Sequence, residues 1–169
     1  VIMHRVFPNI LIDFVDDLNF DGYTYLQGQY KIPPRSPEWW DSRKVGAGAP
    51  PLKTKDGWLL IYQAVDDKDA SEYKVGAMLL DLEDPTKVLC RSSKPILEPR
   101  ETYENYGFKA GVVYPCGAVI KDNNLFVYYG GADSYVCVAT APLDEFLENL
   151  KTTGSTHLTP SMLGSEMAA

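Results

Sequence analysis

Gly57-Trp-Leu-Leu-Ile-Tyr-Gln-Ala-Val-Asp66 aligns without gaps on Asn124-Leu-Phe-Val-Tyr-Tyr-Gly-Gly-Ala-Asp133, and this internal repeat decides the fold class. Each copy is an apolar run rich in β-branched and aromatic residues. Each follows a strand-like segment and a turn, Lys55-Asp56-Gly57 or Lys121-Asp122-Asn123-Asn124. Asp, Asn and Gly tolerate positive φ, so both turns read as hairpin tips between antiparallel strands. A weaker third copy, Val1-Ile-Met-His-Arg5, stands opposite Leu59-Leu-Ile-Tyr-Gln63. A second strand and an acidic turn follow in both cases, Asp16-Asp17-Leu18 or Asp81-Leu82-Glu83-Asp84. Repeats built from a few short antiparallel strands predict β-propeller blades rather than a sandwich. With roughly 60 residues to a blade and at least about four blades to a closed ring, this length predicts fewer than three blades and no closure by itself.

The alternation and apolar runs predict strands over 1–4, 10–14, 58–62, 74–80, 112–114, 125–129 and 135–140. Leu143, Phe146, Leu147 and Leu150 recur at i, i+3, i+4 and i+7, with Asp144 and Glu145 in the first turn, which predicts one short helix over 143–150. The expected architecture is all-β, with blades over 1–151, a short C-terminal helix, and a tail over 152–169 rich in Thr, Ser, Gly and Met. That tail is expected to be loosely packed or to join an oligomer contact through Leu158 and Met162. Unpaired blade edges point the same way, to a homo-oligomer.

Composition narrows the function. The chain has 169 residues, 45% hydrophobic, 23% charged and 12% aromatic, the profile of an ordinary globular domain. Sixteen Lys+Arg against 23 Asp+Glu give a net charge of −7, and the basic residues are scattered, so nucleic acid is not an expected partner. No apolar run approaches the ~20 residues that cross a bilayer, and no signal-peptide pattern opens the chain, so a cytoplasmic protein is expected. Cys90, Cys116 and Cys137 lack metal or disulfide spacing, and His4 and His157 are too few for a His-based metal site, so neither metal nor organic cofactor is expected. Val1 opens in mid-pattern, as in a piece of a longer protein.

Two places carry chemistry. The repeat sets Arg5, Gln63 and Gly130 in register, with Asp66 and Asp133 shortly after, so polar groups of successive blades converge on one axis. The stretch Trp39-Trp40-Asp41-Ser42-Arg43-Lys44-Val45-Gly46-Ala47-Gly48-Ala49-Pro50-Pro51 offers aromatic faces for a sugar ring and a Lys44 ammonium beside small residues for an anion. It is not a P-loop, because GxxxxGK[ST] is absent. Most carboxylates sit in turns, where Asp bonds its own backbone. Asp133 differs, closing a Tyr-Tyr-Gly-Gly-Ala run whose glycines admit a ligand to the backbone. No Ser/His/Asp or Cys/His nucleophile arrangement is readable.

Six ordered motifs closely resemble glycoside hydrolase family 130, the β-mannoside phosphorylases with some β-mannosidases. They are Lys44-Val-Gly-Ala-Gly-Ala-Pro-Pro51, Gly57-Trp-Leu-Leu-Ile-Tyr62, Gly76-Ala-Met-Leu-Leu-Asp-Leu-Glu-Asp-Pro85, Pro95-Ile-Leu-Glu-Pro99, Val112-Val-Tyr-Pro-Cys-Gly117 and Tyr128-Tyr-Gly-Gly-Ala-Asp133. The resemblance implies a five-bladed β-propeller and inverting phosphorolysis, in which phosphate attacks the anomeric carbon of a β-mannoside and gives α-mannose 1-phosphate. It implies phosphate binding by Arg5, Lys44 and the position of Gln63, and sugar binding by Asp133, Tyr114, Tyr73 and Trp40. It also implies a general-acid Asp upstream of Val1, and inorganic phosphate as co-substrate with no further cofactor. Where the family reads Ile-Tyr-His-Gly-Val this chain reads Ile61-Tyr-Gln-Ala-Val65, so a neutral amide replaces an imidazole. The alternatives are a β-mannosidase of the same family, or a non-catalytic carbohydrate-binding or assembly module.

Overall fold

The computed structural model describes residues 1–20, 22 and 25–162. The chain runs β1 (Ile2–Val6), β2 (Asn9–Asp13), β3 (Tyr30–Ile32), β4 (Lys44–Ala47), β5 (Leu52–Lys53), β6 (Trp58–Val65), β7 (Lys74–Leu80), β8 (Val88–Arg91), α1 (Thr102–Asn105), β9 (Val113–Lys121), β10 (Asn124–Gly131), β11 (Tyr135–Pro142), α2 (Leu143–Thr152) and β12 (Thr159–Met162). The strands form three antiparallel sheets, ordered β1-β2-β3, β4-β6-β7-β8 with β5 also on β6, and β12-β11-β10-β9. The two copies of the repeat become β6 and β10, each the strand that pairs with the next through a hairpin. At the tip before β10, Asp122 (φ 49°) and Asn123 (φ 58°) form a two-residue turn of the mirror-image kind, whose twist matches its strands.

The middle sheet is apolar on both faces, which explains why 58–65 reads as a continuous apolar run rather than an alternation. Leu59, Ile61, Val75, Ala77 and Leu79 pack against Val113, Leu125 and Val127 of the third sheet. Leu60, Tyr62, Ala64, Met78 and Leu80 pack against Ile10, Ile12 and Ile32 of the first. Each fully buried aliphatic side chain of this kind contributes about 1.5–3 kcal/mol.

The helix forms where the spacing places it and buries Leu143, Phe146, Leu147 and Leu150. Asp144 in its first turn accepts from Lys55 Nζ (2.9 Å) and Asn123 Nδ2 (3.0 Å), while Lys151 in its last turn lies 3.2 Å from Asp56. The helix dipole favours both charges, and the pairs clasp the helix to the two hairpin tips.

Several elements differ from the sequence expectation: β3, β5, β8 and the one-turn helix α1 form where neither strand nor helix was expected, and three further differences have a readable cause. β9 runs on past 114 because Pro115 lies on an edge strand and Cys116 is the extra residue of a bulge, Tyr128 facing Gly117 and Tyr129 facing Pro115. Lys44–Ala47, for which no strand was expected, is a strand paired with β6. The tail's first part is packed: Leu158 is buried in the chain's own core, its N–H donates to Ile96 O (2.8 Å), and Thr159–Met162 pairs with β11. No described helix is long and apolar enough to cross a membrane.

Two buried carboxylates tie loops to this frame. Asp13 accepts from the N–H groups of Gln27 (3.2 Å), Gly28 (2.9 Å) and Gln29 (3.1 Å) and contacts His4 Nε2 at 2.7 Å. Asp66 accepts from Lys68 N–H (2.8 Å), Asp69 N–H (2.7 Å) and Lys74 Nζ (3.0 Å). Burial raises both acids, but these donors together prevail and hold each below the ordinary value of 3.8. A depressed folded pKa adds stability that is complete above the unfolded value and is lost as pH falls through the folded one. Acid unfolding is therefore expected to set in below about pH 4 and to move to higher pH in Asp66→Asn, as followed by circular dichroism across pH 2–6.

Candidate active site

Lys44 of the edge strand β4 and Tyr114 of the edge strand β9 both lie against Tyr73. Tyr73, just before β7, joins them: its N–H donates to Gly111 O (2.9 Å) and its carbonyl accepts from Val113 N–H (3.3 Å). This brings the Tyr73 and Tyr114 rings to 6.1 Å. Lys44, the first residue of β4, donates to the Tyr73 hydroxyl at 2.5 Å and holds its Nζ 4.4 Å from the ring centroid. Lys109, from the segment before β9, holds its Nζ 4.5 Å from the same centroid.

Gln63 lies beneath this cluster, 3% exposed. With its amide turned to satisfy both ends, Nε2 donates to Gly46 O (2.9 Å) and Ala47 O (3.3 Å), and Oε1 accepts from Tyr114 O–H (3.0 Å). The amide thus fastens Tyr114 to β4. Gly46 pairs with Gln63 across the strands, and a Cβ there meets the Gln63 amide at 2.5 Å and Arg5 Cδ at 3.0 Å. Arg5 therefore crosses β4 at a position that only glycine leaves open. Gly46→Ala is expected to displace both side chains and to destabilise the fold by about 1–3 kcal/mol, read as a lowered melting temperature.

The electrostatics of the cluster are one-sided. Among the described residues, no carboxylate lies within 4.0 Å of Arg5, Lys44 or Lys109. The hydrogen bond from Lys44 holds the Tyr73 phenol below its ordinary value of 10.0; burial opposes this, and the charges of Lys44, Lys109 and Arg5 reinforce it. Positive charge without a carboxylate partner is chemistry that suits an oxyanion.

Asp133 lies on an exposed turn at the same end of the third sheet. Ala132 (φ 48°) and Asp133 (φ 51°) both occupy the left-handed region, which costs an L residue other than Gly about 1–2 kcal/mol. The turn is held by Ser134 N–H to Gly131 O (3.0 Å) and by Lys109 N–H to Ala132 O (3.0 Å). The stretch carrying Asp133 and the stretch carrying Lys109 are therefore one unit.

Trp40 lies elsewhere. It stacks on Tyr62 at 5.8 Å, on the face of β6 opposite Gln63, where Gly76 makes room: a Cβ there meets Tyr62 at 2.4 Å and Trp40 at 2.6 Å. Trp39 carries the Arg35 guanidinium at 3.9 Å. The Trp pair thus serves packing, and the structure gathers Arg5, Lys44, Gln63, Tyr73 and Tyr114 without it. Lys109 had no sequence signal, being a lone Lys in an irregular stretch. Only the long-range pairing of Tyr73 with Gly111 brings it in.

Residues 1–152 match the family model described as beta-1,4-mannooligosaccharide phosphorylase, of glycoside hydrolase family 130. A 1,2-beta-oligomannan phosphorylase of Thermoanaerobacter sp. (strain X514) is 48% identical over 139 residues, 82% of this chain and 45% of that protein. A beta-1,4-mannooligosaccharide phosphorylase of Ruminococcus albus is 30% identical over 156 residues, covering 90% of this chain and 44% of that protein. The solved structure of a beta-1,2-mannobiose phosphorylase from Listeria innocua, in complex with beta-1,2-mannobiose, superposes with a TM-score of 0.66 at 40% identity. That superposition covers 72% of this chain and 34% of the other. The chain spans less than half the length of these relatives. With the family model matched across nearly the whole described length, the chain belongs to glycoside hydrolase family 130.

Proposed function

We propose that the protein is an inverting β-mannoside phosphorylase and that this chain supplies its phosphate site. A phosphate oxygen bonds to the anomeric carbon as the glycosidic C–O bond breaks, and the departing oxygen takes a proton from a general acid. The products are α-mannose 1-phosphate and the shortened saccharide. The observation that carries this reading is the placing of Lys44 and Lys109 at the Tyr73 ring, with Arg5 against Gly46 of the same strand as Lys44 and no described carboxylate within 4.0 Å of the three. An inverting hydrolase needs a carboxylate base to activate water, whereas phosphate arrives already nucleophilic and needs cationic anchors. In this reading Asp133 hydrogen-bonds the mannosyl unit, Tyr114 and Tyr73 line its subsite, and Gln63 holds Tyr114 in place. The three sheets are consecutive blades of a five-bladed propeller, two complete and the three-stranded one partial.

The 48% identity to a 1,2-beta-oligomannan phosphorylase supports β-1,2-linked mannosides as the first substrates to try. The test incubates the full-length protein with β-1,2- and β-1,4-mannobiose, with and without phosphate, and assays mannose 1-phosphate and free mannose separately. Phosphate-dependent mannose 1-phosphate is the expected result. Free mannose released equally without phosphate makes the protein a β-mannosidase, and the absence of both products leaves a binding module.

A further inference from the structure

We propose that Lys109 is a third cationic contact of the phosphate site and supplies the charge that Gln63 does not. The inference rests on the phosphorylase reading above. Its Nζ and that of Lys44 converge on one ring, at 4.5 and 4.4 Å from the Tyr73 centroid. Two ammonium groups meet at one phenol only against their mutual repulsion, and an anion seated beside that ring relieves it. The amide of Gln63 is spent on the Gly46 and Ala47 carbonyls and the Tyr114 hydroxyl, so it has no donor left to offer.

The Lys109 backbone is held for such a role. Glu104, fully buried, accepts from Arg100 N–H (2.8 Å), Glu101 N–H (2.8 Å) and Tyr129 O–H (2.7 Å). Its carbonyl accepts from Gly111 N–H (3.2 Å) and Val112 N–H (3.4 Å), Phe108 N–H donates to Ser134 Oγ (2.8 Å), and Lys109 N–H to Ala132 O (3.0 Å). Fixed at both sides, the backbone of the stretch needs little ordering on binding. The same contacts fasten it to the turn of Asp133, so the phosphate and mannosyl contacts are set relative to each other.

The experiment uses the full-length protein with Lys109→Met and Lys109→Arg. Calorimetric titration of inorganic phosphate gives binding without turnover, and initial rates give KM for phosphate and for mannoside. Lys109→Met is expected to weaken phosphate binding and raise its KM about ten- to a hundredfold, the factor of a charge-assisted hydrogen bond. The loss should fall on phosphate, with mannoside KM within about threefold, and Lys109→Arg should restore most of the affinity. If wild type binds phosphate and Lys109→Met binds it equally well, the role of Lys109 is overturned and the phosphorylase reading stands. Equal losses in the Met and Arg variants, in kcat and both KM values together, also overturn it in favour of a structural role. If wild type neither binds nor uses phosphate, both fail.

Discussion

Lys44→Met is expected to lower kcat/KM for phosphorolysis by about ten- to a hundredfold, the loss of one charge-assisted contact to the attacking phosphate. Lys44 opens an edge strand whose pairing with β6 fixes its backbone, and its ammonium is positioned by the Tyr73 hydroxyl at 2.5 Å. Among the described residues it is the cation bonded to the Tyr73 hydroxyl, whereas Arg5 packs against Gly46 and Lys109 comes from another segment. Steady-state rates at varied phosphate measure the loss. Ultraviolet titration gives an independent sign: without the Lys44 hydrogen bond and charge, the Tyr73 phenol rises toward its ordinary value, so the difference spectrum against wild type shows one tyrosine ionising at higher pH. A Lys44→Met protein that keeps full activity removes this residue from the phosphate site.

Asp41→Ala is expected to destabilise the fold by about 3–5 kcal/mol, the cost of leaving a buried charge without its partner. Asp41 is fully buried. Its Oδ1 accepts from Arg35 Nε (2.7 Å), its Oδ2 accepts from Tyr62 O–H (2.8 Å), and Arg91 Nη2 lies 2.6 Å from the same Oδ2. The two guanidiniums also bind backbone carbonyls, Arg35 at Ser92 O (2.8 Å) and Arg91 at Pro33 O (2.9 Å). The network therefore pins the stretch leading into β4 onto the middle sheet. Burial pushes the Tyr62 phenol far up, so the hydroxyl stays a donor to the carboxylate at any working pH. Chemical denaturation of Asp41→Ala beside Asp41→Leu/Arg91→Met measures the cost. The double variant should recover part of it, because it removes charge from both sides.

The fold was legible where pattern and environment agree. The repeat and its turn residues mark β6 and β10, and the i, i+3, i+4, i+7 spacing marks α2, because those elements are built from large apolar side chains with a defined period. β4 was not legible, because the crossing side chains of Gln63 and Arg5 demand Gly46, and a strand of small residues carries no periodic signal. β9 was half legible, because Pro115 and Gly117 read as turn residues and are absorbed by an edge position and a bulge. Among the candidate site residues, Arg5 and Lys44 sit in recognisable motifs, whereas Lys109 arrives only through the pairing of Tyr73 with the segment before β9. The Trp pair shows the opposite error of emphasis. A conspicuous aromatic motif is taken up by Tyr62 on one side and Arg35 on the other.

The most direct test of the central claim, that this end of the sheets binds the attacking phosphate, is a crystal structure of the full-length protein with tungstate as a heavy phosphate mimic, located by its anomalous signal. The expected result is one anion within hydrogen-bonding distance of Arg5 and Lys44, beside the Tyr73 ring. An anion bound elsewhere in an active crystal, with the Arg5 and Lys44 side chains turned to carboxylates, would contradict it.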